Sequence, residues 1–285
     1  MHHSTGSRAL ADLLRANVLL AERSSLSRRG ADVAIAAGRL TTLGRRIALG
    51  EKLPGDVPLE LDGAPLRASA AAADPAADPL ESAEISAWHK PAGVTTTHAD
   101  PFAAVTLPQA LEPLLGPERA AAMLSVGRLD RETEGLLLLT PERRIVSRLA
   151  HPRSGLRRGY AVATRFSLGA PEFDRLRAGI RLTDGWARAL DARPVRPADR
   201  LPSAVLGGDD DPGQWSYIEL GEGRHHEVRR LYGAIDYPVL RLIRLSFGPV
   251  HLGDLQPGAL RRLDGAEMAS LRAAIRAPRS AAVRP

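Results

Sequence analysis

Leu136-Leu137-Leu138-Leu139 is an unbroken apolar run with no polar position inside it, which reads as a strand covered on both faces. Glycines at 127 and 135 bracket a charged turn between this run and the apolar stretch Met123-Val126. Upstream, Glu84-Trp88 alternates as a strand does. Downstream, strand-like stretches at Tyr160-Phe166, Trp186-Val195, Trp215-Leu220 and Leu240-Phe247 interleave with helix-like Pro141-Leu149, Glu172-Ala178, His226-Ile235 and Glu267-Ile275. Several strands follow one another with no helix between them. That pattern predicts an α+β fold whose mixed, largely antiparallel sheet is flanked by helices, rather than a doubly wound one.

The front of the chain carries its own pattern. Ser27 is placed to cap a helix, Ala31 and Ile35 give it an apolar stripe, and Gly38 stands where a terminating glycine is expected. Two short strand-like segments, Leu49-Leu53 and Val57-Gly63, come next. The stretch from Ala68 to Pro79 is alanine-rich and broken by two Asp-Pro steps, which push the chain towards extended or turn conformations. The expected organisation is a small helical and stranded domain over 1–67, a flexible linker over 68–80, a larger domain over 81–277 and a disordered tail over 278–285.

Charge adds a partner class. Lysine and arginine outnumber the acids by 39 to 33, and the pI is near 10.4, so the chain favours a polyanion. Arginine dominates, which suits bidentate phosphate contacts and stacking on bases. With no cysteine, disulfides, thiolate metal sites and cysteine nucleophiles are excluded. No apolar run reaches membrane-spanning length and no secretory pattern is present, so a cytoplasmic location is expected. The acids at 209–211 lack the spacing of a calcium loop and read as a surface loop. Adjacent His225 and His226 are expected to point apart, and no metal site is expected.

Asp130 is the strongest chemical candidate, because the turn Gly127-Arg128-Leu129-Asp130-Arg131-Glu132-Thr133-Glu134-Gly135 sets a carboxylate between arginines at the start of a buried strand. This turn and its leucines resemble the catalytic motif of the RNA pseudouridine synthases, G-R-L-D-x-x-T-x-G-L-L-L-L-T. Four further segments are similar in family order: His89-Lys90-Pro91-Ala92-Gly93-Val94, Arg157-Arg158-Gly159-Tyr160, Gly221-Glu222-Gly223-Arg224-His225-His226-Glu227-Val228-Arg229-Arg230, and Leu242-Ile243-Arg244 with Gly248-Pro249-Val250. The style is that of the RsuA/RluB/RluE/RluF-like branch, and the resemblance covers about 85 to 265.

The resemblance implies isomerisation of a uridine in RNA, most readily ribosomal RNA, by a monomer without a cofactor. It assigns Asp130 as the catalytic carboxylate, as nucleophile or as base. Tyr160 is implied as the platform for the base and Leu242 as the apolar residue beside the uracil. Arg229 is implied as the partner of Asp130, since Arg229 and Arg230 point about 100° apart on a helix and only one can face the site. Arg128 and Arg224 join the substrate-binding set. Residues 8–67 resemble an S4-type RNA-binding domain, with Arg28, Arg29, Arg39 and Lys52 on matching positions. Three departures stand out: Arg158 replaces a lysine, Gly159 is expected to loosen a turn, and Glu227 replaces a glutamine and adds negative charge near Asp130. They keep open a catalytically inactive RNA-binding ribosome-assembly factor. A glycosidase using Asp130 and Glu134 is a third reading.

Overall fold

A computed structural model describes residues 13–24, 26, 28–66, 78, 80–98, 102–151, 154–199, 201 and 214–276. The Ser27 cap, the linker over 68–77, the loop at 207–213 and the tail at 278–285 lie outside the described residues. The chain divides between Glu81 and Ser82 into two compact units.

The first unit holds β1 (Leu13–Arg15), α1 (Ala16–Arg23), α2 (Arg28–Ala36), β2 (Leu40–Thr42), β3 (Arg45–Arg46), β4 (Lys52–Pro54), β5 (Leu59–Leu61) and β6 (Ala64–Leu66). Ala31, Ala34 and Ile35 are the helical stripe of α2, and they pack on Leu19, Leu20, Leu40 and Leu59. The helix ends where the glycine predicts, with the Gly38 N–H donating to Ile35 O and the Arg39 N–H to Ala34 O. Strands β3-β2-β5-β6 form an antiparallel sheet, and β1 pairs with β4.

The second unit contains, in order, β7 (Ser86–Lys90), β8 (Val94–Thr95), β9 (Val105–Thr106), α3 (Leu107–Leu115), α4 (Pro117–Ala122), β10 (Leu124–Ser125), β11 (Thr133–Thr140), α5 (Arg143–Ala150), β12 (Arg158–Thr164) and α6 (Ala170–Ala178). It continues with β13 (Ile180–Leu182), β14 (Gly185–Ala187), β15 (Asp191–Pro194), β16 (Trp215–Leu220), α7 (Glu227–Gly233), β17 (Val239–Phe247), β18 (Val250–His251), β19 (Leu260–Arg262) and α8 (Gly265–Arg276). The expected strand over Trp186-Val195 is two strands, β14 pairing back onto β13 and β15 joining the main sheet.

The main sheet runs β15-β16-β12-β17-β11-β7-β19, antiparallel except for the parallel pair β11 and β17. Leu136 to Leu139 are all fully buried, so β11 is covered on both faces as its composition demands. Leu137 and Leu139 share a core with Trp88, Tyr160, Val162, Leu242 and the inner face of α7.

Gly135 is part of β11 rather than the end of a turn. Its φ is +100°, and a Cβ built there would lie 2.4 Å from Arg244 O on β17. Only glycine lets the two central strands approach this closely.

Candidate functional site

The turn before β11 is clamped from one side. Thr96 Oγ1 donates to Leu129 O (2.6 Å), the Gly93 N–H to Arg131 O (2.9 Å), and Lys90 Nζ to Pro91 O, Arg131 O and Thr133 O (2.9, 3.0 and 2.8 Å). The Thr133 N–H closes the turn on Asp130 O at 3.0 Å. Every carbonyl named here except Pro91 and Asp130 is gripped by the last residue of β7 or by the segment that follows it, which explains why a Lys-Pro-x-Gly sequence accompanies the aspartate motif. Lys90 is fully buried, and burial pushes its ammonium down to about 8 against the pull of Glu132, Glu134 and Asp130.

The clamped turn presents Asp130 at the rim of a cavity of about 270 Å³, with its carboxylate one-third exposed. Tyr160 and Leu242 line that cavity, as do Arg128, Arg158, Arg224, Arg229 and Arg244. Five arginines against the three carboxylates of Asp130, Glu222 and Glu227 give the cavity a net positive lining, suited to a phosphate-bearing nucleotide.

Strand parity explains how one sheet face collects these groups. Tyr160 lies opposite Arg244, and Val162 opposite Leu242. Register shifts between Gly159 and Tyr160 and between Ala163 and Thr164 leave Leu245 and Leu240 of β17 without partners. The bulge at Leu245 reverses the alternation, so Phe247 returns to the face of Arg244. The guanidinium carbons of Arg158 and Arg244 then stand 5.0 and 5.4 Å from the Phe247 ring.

Arg244 is 2% exposed, donates Nε–H to Leu136 O (2.7 Å), and has a buried Nη2 with no hydrogen-bond partner. Burial lowers its pKa, with Tyr160 opposing. Burial also lowers that of Arg158, whose Nη1 donates to Leu156 O and Gly221 O.

Gly159 loosens no turn. It is a buried strand position where a Cβ would meet the Tyr217 hydroxyl at 2.5 Å and Ser246 Oγ at 2.6 Å. The expected Asp130–Arg229 ion pair is likewise not formed. Arg229 donates to Val239 O (3.2 Å) and Glu132 O (3.5 Å), while His226 Nε2 stands 3.3 Å from Asp130 Oδ1. The reason is local: His226 adopts φ +51°, ψ +31°, outside the helix that follows it. That conformation turns its ring towards Asp130 and stacks it on His225, centroids 3.8 Å apart, so the two histidines do not point apart. Arg230 faces away and pairs with Asp184 through both Nη atoms (2.7 and 3.0 Å).

Glu227 is buried at the start of α7, and its carboxylate accepts the Arg224 N–H at 3.0 Å. The charge that the Gln-to-Glu departure introduces is therefore met chiefly by the Arg224 backbone and side chain, with a smaller contribution from Arg230 and none from Arg229. Burial raises its pKa, with Arg224 acting against the shift. Glu134 is held by Arg241 in a bidentate pair (2.7 and 2.9 Å) and does not line the cavity, which removes the second carboxylate of the glycosidase reading.

In the first unit, Arg28, Arg29 and Lys52 are exposed, whereas Arg39 is tied to Asp62 by two hydrogen bonds. Sequence reasoning missed Lys90, Thr96 and Arg244 as site-forming residues. Lys90 and Arg244 sit inside segments whose motif character was visible, but the hydrogen bonds of Lys90 go to backbone carbonyls, and the contacts of Arg244 with Leu136 O, Tyr160 and Phe247 depend on strand register.

The stretch 84–233 matches the family described as RNA pseudouridylate synthase. A protein of Aquifex aeolicus (strain VF5) named an uncharacterized RNA pseudouridine synthase is 32% identical over 260 residues, spanning 90% of this chain and 93% of its own. The ribosomal large subunit pseudouridine synthase B of Salmonella typhi is 32% identical over 268 residues, 91% of this chain and 82% of its own. A crystal structure of a pseudouridylate synthase shares the fold, with a TM-score of 0.56 at 23% identity over 90% of this chain and 99% of that one. The inactive assembly-factor reading has no support among these relatives. The larger unit has the α+β pseudouridine synthase fold, and the chain belongs to the RNA pseudouridine synthase family.

Proposed function

We propose that this enzyme isomerises a specific uridine of ribosomal RNA, with Asp130 as the carboxylate that works at the sugar and without a cofactor. The observation that carries the reading is the clamped turn, which presents Asp130 at the mouth of a cavity lined by Tyr160 and Leu242. The reaction breaks the N1–C1′ bond, turns the detached base and joins its C5 to C1′, and the C5 proton leaves at the end. Asp130 begins it either by attacking C1′ or by removing a proton from the sugar. Extruding the uridine from its stack costs a few kcal/mol, offset by packing against Tyr160 and Leu242. Arg229, held by two long bonds to carbonyls, swings to Asp130 when RNA displaces His226. The ribosomal substrate is taken from the names of the relatives, and the first unit acts as an S4-like RNA anchor through Arg28, Arg29 and Lys52.

Asp130→Asn tests the assignment, because it keeps the size of the side chain and removes its charge. Tritium release from C5-labelled uridine in rRNA drops to background, while binding of the same RNA in a gel shift is retained or tightened as a negative charge leaves the cavity. Retained isomerisation by the asparagine variant sinks the role given to Asp130.

A further inference from the structure

The hairpin of β13 and β14 is not used by the chemistry above. Its alternation is clean: Ile180, Leu182 and Ala187 pack on the core, while Arg181 and Trp186, directly opposite one another, face outward. Trp186 is 60% exposed, yet its ring is not loose. A Cβ on Gly179 would touch Trp186 Cε3 at 3.5 Å, so the indole lies against the bare Gly179 backbone. Arg188, just beyond the strand, is also exposed. At the hairpin tip Asp184 is neutralised by Arg230 of α7, the helix whose next face lines the cavity with Glu227, Val228 and Arg229.

An exposed indole braced on one side, flanked by exposed arginines on a hairpin whose one acid, Asp184, is already paired, is a stacking platform for a base on a polyanionic strand. A uridine drawn into the cavity leaves its neighbours unstacked, so the strand beside it needs such a surface. We propose that the hairpin is a binding subsite for single-stranded RNA flanking the target uridine, with Trp186 stacking on a base and Arg181 and Arg188 contacting phosphates. This rests on the reading that the substrate is RNA, and it adds where the strand beside the reacting nucleotide lies.

The test uses the full-length chain with Trp186→Ala, Trp186→Phe and Arg181→Glu. The probes are a single-stranded oligouridylate and rRNA extracted from cells lacking the protein. Trp186→Ala raises Kd and KM by about 10- to 100-fold. Its kcat at saturating RNA stays within about twofold, because stacking outside the cavity adds binding common to ground and transition states. Trp186→Phe retains most of the affinity, and Arg181→Glu weakens binding without touching the indole's packing. Oligouridylate quenches the tryptophan fluorescence of the wild type, and the quench is lost in Trp186→Phe, which keeps the other two tryptophans, the buried Trp88 and the half-buried Trp215.

Unchanged KM in both Trp186→Ala and Arg181→Glu, with no quench in the wild type, overturns the proposal. A defect seen only on ribonucleoprotein particles and not on naked rRNA also overturns it, and assigns the surface to a protein partner. A wild type that makes no pseudouridine refutes the proposed function instead, and the quench, which needs no turnover, still judges the hairpin.

Discussion

Replacing Lys90 by methionine should separate stability from activity. Lys90 Nζ holds Pro91 O, Arg131 O and Thr133 O, the last two within three residues after Asp130. Methionine fills most of the volume but donates nothing. Arg131 O keeps the Gly93 N–H, so two acceptors lose a donor, at about 1–3 kcal/mol each. Against this, the variant no longer buries an ammonium whose pKa falls from 10.5 to about 8, a relief of about 3 kcal/mol. The net cost at neutral pH is therefore at most about 3 kcal/mol, and the protein stays folded. Activity suffers more, because a slack turn lets Asp130 drift by about an ångström, which costs roughly 100-fold in kcat.

The pH dependence sharpens the test. Between pH 8 and 10.5 the folded Lys90 has lost its proton while the unfolded one keeps it, so this residue makes stability rise with pH across that window. A neutral amine has only two N–H groups for three carbonyls, so the turn loosens as stability grows. Urea midpoints and single-turnover tritium release, measured from pH 7 to 10, should move in opposite directions in the wild type relative to Lys90→Met. If the two fall together, or if the methionine variant keeps the wild-type rate, Lys90 does not hold the turn.

Other perturbations have equally definite outcomes. Gly135→Ala forces a Cβ into the backbone of Arg244 at a residue with φ +100°, and should lower stability by about 3–5 kcal/mol in urea unfolding; a loss below about 1 kcal/mol would mean that β11 and β17 separate easily. Glu227→Gln should leave turnover intact and raise stability at neutral pH. Burial lifts the folded pKa of Glu227, so the wild type loses stability as pH rises from 4.5 through that value, and the variant does not; a urea-midpoint gap that fails to widen between pH 5 and 8 refutes this. Arg229→Leu should abolish turnover, whereas Arg230→Leu loses only a solvent-screened ion pair with Asp184 and keeps kcat; the reverse order would put the wrong arginine in the site.

The leucine tetrad and the Gly38 helix end were legible because each rests on local rules of burial or capping, whereas the carboxylate before the tetrad stood out through its resemblance to the family motif. So did the cavity-lining set of Tyr160, Leu242 and Arg128, through motif order. What the chain hid was set by backbone contact at a distance. Gly135 reads as the end of a turn until β17 is seen lying against it, and Gly159 until Tyr217 and Ser246 fill its missing side chain. His226 belongs by periodicity to the helix at 227, but its left-handed backbone swings the ring to Asp130. Likewise Trp186-Val195 reads as one strand because the break at Arg188 and Leu190 carries no glycine or proline.

The site depends on the parallel pair at the centre of the sheet more than on any single side chain. β11 brings the clamped turn to its own first residue, so Asp130 is delivered at the end of the strand where Thr133 meets Leu242 of β17. From there β17 supplies Leu242 and Arg244 to one face, and its bulge at Leu245 adds Phe247 to the same face. β12, antiparallel to β17, answers with Tyr160 and Arg158. The distance between Asp130 and the floor of the cavity is thus fixed by strand register, and register is fixed by the missing Cβ at Gly135, the one residue of β11 that can lie this close to the Arg244 backbone. A carboxylate on a turn becomes a positioned reagent only because the turn is tied on both sides of it, after Asp130 by β11 and by Lys90 of β7, and before it by Thr96 on Leu129 O.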